Sequence, residues 1–247
     1  MCMLTFLPAG VVPDVAALAN GAFLNDDGHG FAIVANGRLL VRRGMDADHM
    51  VTSFERMRGK YRDGPALFHS RFATHGTIRR DNCHPFRVGG DRRTVVAHNG
   101  ILPKSLRPRP GDKRSDTRVA AEDFLPHNPF GSIESRANRD RLGQWLGHGN
   151  KLVILTVDRR YGDNAYIVNE DSGIWDHGIW YSNNDYREDA WAQRYEVRET
   201  VACPVCHRSD VVDLETGFCA ECGCCIDCGA PVEHCYCYAS EKALTRT

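Results

Sequence analysis

Apolar positions fall into two rhythms along this chain. Short runs rich in β-branched and aromatic residues, bounded by Gly, Asp or Asn, predict strands. They are MLTFL (3–7), FAIVA (31–35), RLLVRR (38–43), PALFHSRFA (65–73), RTVVAH (93–98), KLVILTV (151–157) and NAYIV (164–168). Three other stretches repeat at helical spacing. DADHMVTSFERMRGKY (46–61) puts Met50, Phe54 and Met57 on one face. SDTRVAAEDFL (115–125) opens with a serine cap signal and carries Val119, Ala120 and Phe124 as its stripe. RDRLGQWLG (139–147) is a shorter candidate. Many strands with few, late helices predict an α+β fold, with sheets packed against helices.

The pattern lapses twice. PKSLRPRPGDKR (103–114) is Pro-rich and basic, and reads as a loop. Beyond about residue 185 the alternation stops, and DYREDAWAQRYEVRET (185–200) reads as a charged connector. The expected organisation is one domain over 1–185, a linker over 186–200 and a small cysteine-rich domain over 201–247.

Composition adds boundaries to this picture. The 247 residues are 42% hydrophobic and 26% charged, and the formal net charge is −1. No global field therefore favours nucleic acid or an anionic membrane. No apolar run reaches the length of a membrane span. No Lys or Arg precedes Arg38, so the basic start of a signal peptide is missing, and a cytoplasmic protein is expected.

Cysteine placement changes the picture most. Of eleven cysteines, only Cys2 and Cys83 lie before residue 200. A disulfide framework staples a whole fold, whereas a local cluster at CxxC spacing reads as a metal site. Cys203 and Cys206, then Cys219 and Cys222, have the spacing of a tetrahedral zinc site. Cys225, Cys228, Cys235 and Cys237 form a second set, in which Cys224 or His234 could substitute. One or two structural zinc ions are expected, and so short a segment would hardly fold without them. From residue 201 onward three basic residues face seven acidic ones, so nucleic acid is not the expected partner.

Cys2 stands directly behind Met1. With Met1 removed, one residue would carry both a thiol and an α-amine, whose ordinary pKa values lie close together. The amine could then act as general base for the thiol. Further blocks follow: NDDGHGFAI (25–33), HSRFATHG (69–76), NCHPF (82–86), VVAHNGIL (95–102) and SDT (115–117). Each alone has an ordinary reading. Asn-Gly is a common turn, Asp116 could simply start a helix, and Cys83 reads as a small buried hydrophobe.

Jointly and in this order, the blocks resemble class II glutamine amidotransferases, which are N-terminal-nucleophile hydrolases. The resemblance covers roughly the first 185 residues and excludes the tail. It implies a four-layer αββα fold and hydrolysis of L-glutamine to glutamate and ammonia through a Cys2 thioester. It implies that Asn99 and Gly100 form the oxyanion hole. It also implies that Arg71 takes the substrate α-carboxylate, that Asp116 takes the α-ammonium, and that Thr74 and His75 line the same pocket. Phe72 occupies a position that is often Trp in the sugar-amidating branch, so that branch is not indicated. No acceptor domain is legible after the glutaminase blocks, so the ammonia is expected to pass to a separate synthetase or ligase. Two rival readings are cleavage of another small amide, and an inactive scaffold acting as a zinc-dependent binding module for a protein or nucleic acid.

Overall fold

A computed structural model describes residues 2–190 and, beyond them, 203, 205–206, 208, 212–213, 218–225, 230–231 and 234. The chain divides into two units, Met1–Glu188 and Asp189–Thr247.

The first unit begins with β1 (Met3–Leu7), α1 (Val15–Leu24), β2 (His29–Ala35), β3 (Arg38–Gly44), α2 (Ala47–Lys60) and β4 (Ala66–Ser70). After it come β5 (Phe86–Arg87), β6 (Thr94–Asn99), α3 (Asp116–Val119) and α4 (Arg136–Leu146). The unit closes with β7 (Lys151–Thr156), β8 (Ala165–Val168), β9 (Ile174–Asp176) and β10 (Ile179–Tyr181). One sheet has the order β3-β2-β4-β1-β10-β9 and the other the order β5-β6-β7-β8. All neighbouring strands within them are antiparallel.

Period-2 patterning explains how the layers stack. On β1, Met3 and Leu7 join Phe31, Phe54 and Phe68 in a core with Leu18 of α1 and Met50 of α2. The alternate residues Leu4 and Phe6 face the other way, into a core with Ala32, Leu67, Val95, Ala97, Val153 and Leu155. The far face of the second sheet, through Val96, Leu152 and Ile154, packs on Ala120, Ala121, Leu142 and Leu146. The result is helices, sheet, sheet, helices. Strands β1, β4 and β7 are buried along their whole length. They therefore read as continuous apolar runs rather than alternating ones.

Helix α2 starts where Asp46 accepts the amide of His49. Helix α1 is absent from the sequence reading. VAALANGAFL is apolar nearly all round and carries a central glycine, so no stripe stands out. The strand expected over 65–73 stops at Ser70, because Arg71 onward forms the loop that builds the site. Downstream of α3, residues Ala120–Phe124 widen into a π-type turn.

In the second unit β11 (Val212–Asp213) and β12 (Phe218–Cys219) form an antiparallel hairpin. No helix among the described residues is long and apolar enough to cross a membrane.

Candidate functional site

Cys2 lies just before the central strand β1, which pairs with β4 on one side and β10 on the other. Its thiol meets the backbone of Phe72: Sγ donates to Phe72 O at 3.4 Å and accepts from Phe72 N at 3.4 Å. The Cys2 carbonyl accepts from Asn183 Nδ2 at 3.0 Å. Burial pushes the thiol pKa up, and Asp116 adds to the rise, while the Phe72 backbone and the Arg71 charge work against it. The thiol is thus protonated near neutrality and needs a base before it can attack.

Arg71 sits at the exit of β4 and is 2% exposed. Its guanidinium donates to Thr77 O at 3.0 Å and His75 O at 2.7 Å, curling the 72–77 loop around itself. A guanidinium has five N–H donors, so this leaves capacity for a ligand carboxylate. Asp27 supports the same loop by accepting the amide of Ala73 at 2.7 Å. Thr74 is exposed and His75 half-buried on this loop, and Thr74 Oγ1 lies 3.3 Å from His75 Nδ1.

Asp116 opens α3 and is buried. It accepts from Leu102 N at 3.2 Å and Thr117 N at 2.7 Å. Among the described residues it has no ion-pair partner. A buried carboxylate without a cation is costly unless something completes it. Asp116 and Arg71 both lie close enough to Cys2 to act on its charge.

Asn99 ends β6, and Gly100 follows with φ +135. A Cβ at Gly100 would come within 2.5 Å of Asn150 Oδ1, so only glycine allows this exit. Asn99 Nδ2 lies 2.8 Å from Ser182 Oγ, and Asn99 Oδ1 is buried without a partner among the described residues.

Beneath the site is a layer of histidines. The rings of His69 and His84 stack at 3.9 Å. His69 Nε2 donates to His98 O at 2.9 Å, while His84 Nδ1 accepts from His98 N at 3.2 Å. His98 also reaches Thr117 Oγ1 and Asn150 Oδ1. Burial lowers the pKa of all three, that of His69 to about 3, and keeps the rings neutral. Cys83, fully buried nearby, packs as the small hydrophobe that its sequence setting predicts.

Three contributors escape the sequence reading. Asn82 lies inside the NCHPF block, where nothing in the sequence singles out its amide. Ser182 and Asn183 follow a three-residue strand about 180 positions from Cys2, and no local signal marks them.

In the second unit, the Sγ atoms of Cys203, Cys206, Cys219 and Cys222 all lie within 4.8 Å of one another. The separation is 3.5 Å for Cys203 and Cys222, and 3.6 Å for Cys206 and Cys219. Tetrahedral zinc with bonds of about 2.3 Å needs sulfurs about 3.8 Å apart, so this donor set fits. The amides of Cys206 and Val205 point at Cys203 Sγ and lower its pKa to about 6, favouring the thiolate a metal requires. Of the second set, Cys225 is buried, and Cys228, Cys235 and Cys237 lie outside the described residues. Cys224 is half-buried and His234 exposed.

The chain is 32% identical over 104 residues to glutamine–fructose-6-phosphate aminotransferase (isomerizing) of Saccharomyces cerevisiae, which is 39% of this chain and 14% of the yeast enzyme. It thus spans a small fraction of that enzyme's length. Among solved structures, glutamine phosphoribosylpyrophosphate amidotransferase of B. subtilis is similar at 16% identity and TM-score 0.40, covering 73% of this chain and 41% of that one. A glutamine aminotransferase class-II domain protein from Silicibacter pomeroyi is similar at 16% identity and TM-score 0.36, covering 73% and 87%. Residues 2–121 match the family model of class II glutamine amidotransferases.

Proposed function

We propose that this protein is a glutaminase of the N-terminal-nucleophile kind, releasing ammonia for an acceptor enzyme on another chain. The observation that carries this reading is a pair of opposite buried charges beside a thiol. Arg71 and Asp116 both act on the Cys2 thiol, yet among the described residues neither forms an ion pair with the other or with any other group. An amino acid head group, with its carboxylate and ammonium, supplies the two missing partners at once.

The chemistry follows from the residues. With Met1 removed, the α-amine of Cys2 takes the thiol proton as the sulfur bonds to the side-chain amide carbon of glutamine. The oxyanion is held by the Asn99 amide and the Gly100 N–H. Collapse breaks the carbon–nitrogen bond, the proton passes to the leaving nitrogen, and ammonia departs. Water then adds to the thioester, and glutamate leaves with the thiol restored. Thr74 and His75 border the entrance on the Arg71 loop. Cys203, Cys206, Cys219 and Cys222 hold a structural zinc, and Cys225, Cys228, Cys235 and Cys237 supply ligands for a second.

The test is glutamate release from L-glutamine by protein whose mass shows that Met1 is gone. Wild-type protein should turn over, and Cys2→Ala should not. Equal turnover in the two would overturn the mechanism. A preference for another small amide would move the substrate assignment.

A further inference from the structure

We infer that Ser182 is a positioning residue that decides which end of the Asn99 amide faces the substrate. The inference rests on the functional reading above and extends its oxyanion hole.

Ser182 follows β10 and is completely buried. Its backbone N–H donates to Leu4 O at 2.9 Å, and its Oγ accepts from Leu4 N at 2.9 Å. The serine is thereby locked to the second residue of the nucleophile's strand. Among the described residues the remaining partner of Oγ is the Asn99 side-chain amide, placed with Nδ2 toward it at 2.8 Å. The far end, placed as Oδ1, is buried and has no partner among the described residues.

Counting protons fixes the orientation. The two ends of an amide have nearly the same shape, so the hydrogen-bond network decides which is oxygen and which is nitrogen. A hydroxyl has one proton to give and two lone pairs to receive. Leu4 N–H already occupies one lone pair. If Asn99 turned its NH₂ to Ser182, the hydroxyl proton would be stranded and a carbonyl oxygen would sit at the partnerless end. If Asn99 turns its oxygen to Ser182, the hydroxyl donates to it and both groups are satisfied. The NH₂ then stands at the partnerless end, where only a ligand can supply an acceptor. A developing oxyanion is such an acceptor, whereas a carbonyl oxygen at that end would repel it.

Asn183, the next residue, donates to the Cys2 carbonyl. One dipeptide therefore ties the nucleophile and the oxyanion donor to a common support.

Steady-state kinetics on Ser182→Ala tests this. We expect kcat for glutamine to fall about 10–100-fold with KM within about 2-fold, since loss of a whole oxyanion donor costs about 10²–10³. Ser182→Thr keeps the hydroxyl and should recover most of the rate. Adding Ser182→Ala to Asn99→Ala should cost nothing further. Wild-type kcat in Ser182→Ala, or fully additive losses in the double variant, would overturn the inference. Neutron diffraction on deuterated wild-type protein reads the orientation directly, even if Ser182→Ala does not fold. Oxygen toward Ser182 is the expected result, and ND₂ toward Ser182 overturns it. A wild-type protein that does not hydrolyse glutamine would instead defeat the functional reading, and the neutron assignment would still decide the orientation.

Discussion

The amide of Asn82 donates to the carbonyl of Lys113 at 2.7 Å, joining two loops that carry opposite charges. The same amide donates to Thr77 O at 2.9 Å, and its Oδ1 accepts from Ser115 N at 3.0 Å. Thr77 belongs to the loop wrapped on Arg71, and Ser115 caps the helix that starts with Asp116. One buried side chain thus sets the spacing between the loops that carry Arg71 and Asp116. Asn82→Ala strands several buried polar groups and should destabilise the protein by about 1–3 kcal/mol. Urea unfolding measures that loss. KM for glutamine should rise more than kcat falls, because the spacing of the head-group contacts is what suffers.

Asp116→Asn removes the charge and one of two acceptors. The amide oxygen can accept the Leu102 N–H or the Thr117 N–H, but the NH₂ end cannot accept the other. Stability should fall by about 1–3 kcal/mol, while KM rises about 10-fold or more, as loss of a charged hydrogen bond of about 1.5–3 kcal/mol requires. An unchanged KM in steady-state assays would remove Asp116 from ammonium binding.

Gly100→Ala should be far more damaging than its size suggests. Its Cβ would lie 2.5 Å from Asn150 Oδ1 and 2.9 Å from Gly149 O, at a backbone angle that L-residues rarely adopt. The Gly100 N–H would be displaced together with the Asn99 amide. Loss of glutaminase activity of about 10²-fold or more is expected, with a lowered melting temperature.

The histidine layer predicts acid sensitivity. Burial lowers the pKa of His69, His84 and His98 below the ordinary value of 6.5. The unfolded chain therefore binds more protons than the folded one once pH falls below about 6.5, and stability rises with pH across that window. For His69 the window extends down to about pH 3. Each such histidine contributes at most about 1.4 kcal/mol per pH unit. Denaturant midpoints should fall steadily from pH 7 to pH 5. A flat profile would mean that these rings accept protons without opening the fold.

The four-cysteine cluster should hold metal in the purified protein. Elemental analysis should find zinc, and Cys203→Ser with Cys206→Ser should remove one equivalent. Substitution by cobalt should give the intense visible bands of tetrahedral thiolate coordination. Unchanged metal content in the double variant would place the ion elsewhere.

What the sequence discloses depends on how local each signal is. Strand β1 is readable in MLTFL, and α2 in the Met50–Phe54–Met57 spacing, because each signal lies within a few residues. The candidate site residues Cys2, Arg71, Asn99 and Asp116 are legible through short blocks in a fixed order, and the structure brings Arg71 and Asp116 to Cys2. Ser182 and Asn183 are not legible, since they matter only once β10 pairs beside β1. Helix α1 hides for another reason. Its exposed face carries Ala16, Ala19 and Phe23, as apolar as the buried Ala17, Leu18 and Ala22, which erases the amphipathic stripe by which a helix is usually recognised.

Strand β1 lies inside its sheet, with every residue buried. Its amides are therefore among the last to exchange with solvent, released only when the whole sheet comes apart. The Arg71 loop, with Phe72 and Thr74 exposed, belongs to the other end of that scale. Cys2 leads into the part of this unit least able to breathe, whereas residues 72–77 lie on a part that can. Deuterium uptake should therefore separate the two: local loosening around residues 72–77 would impair glutamine binding well before it disturbed the line of attack.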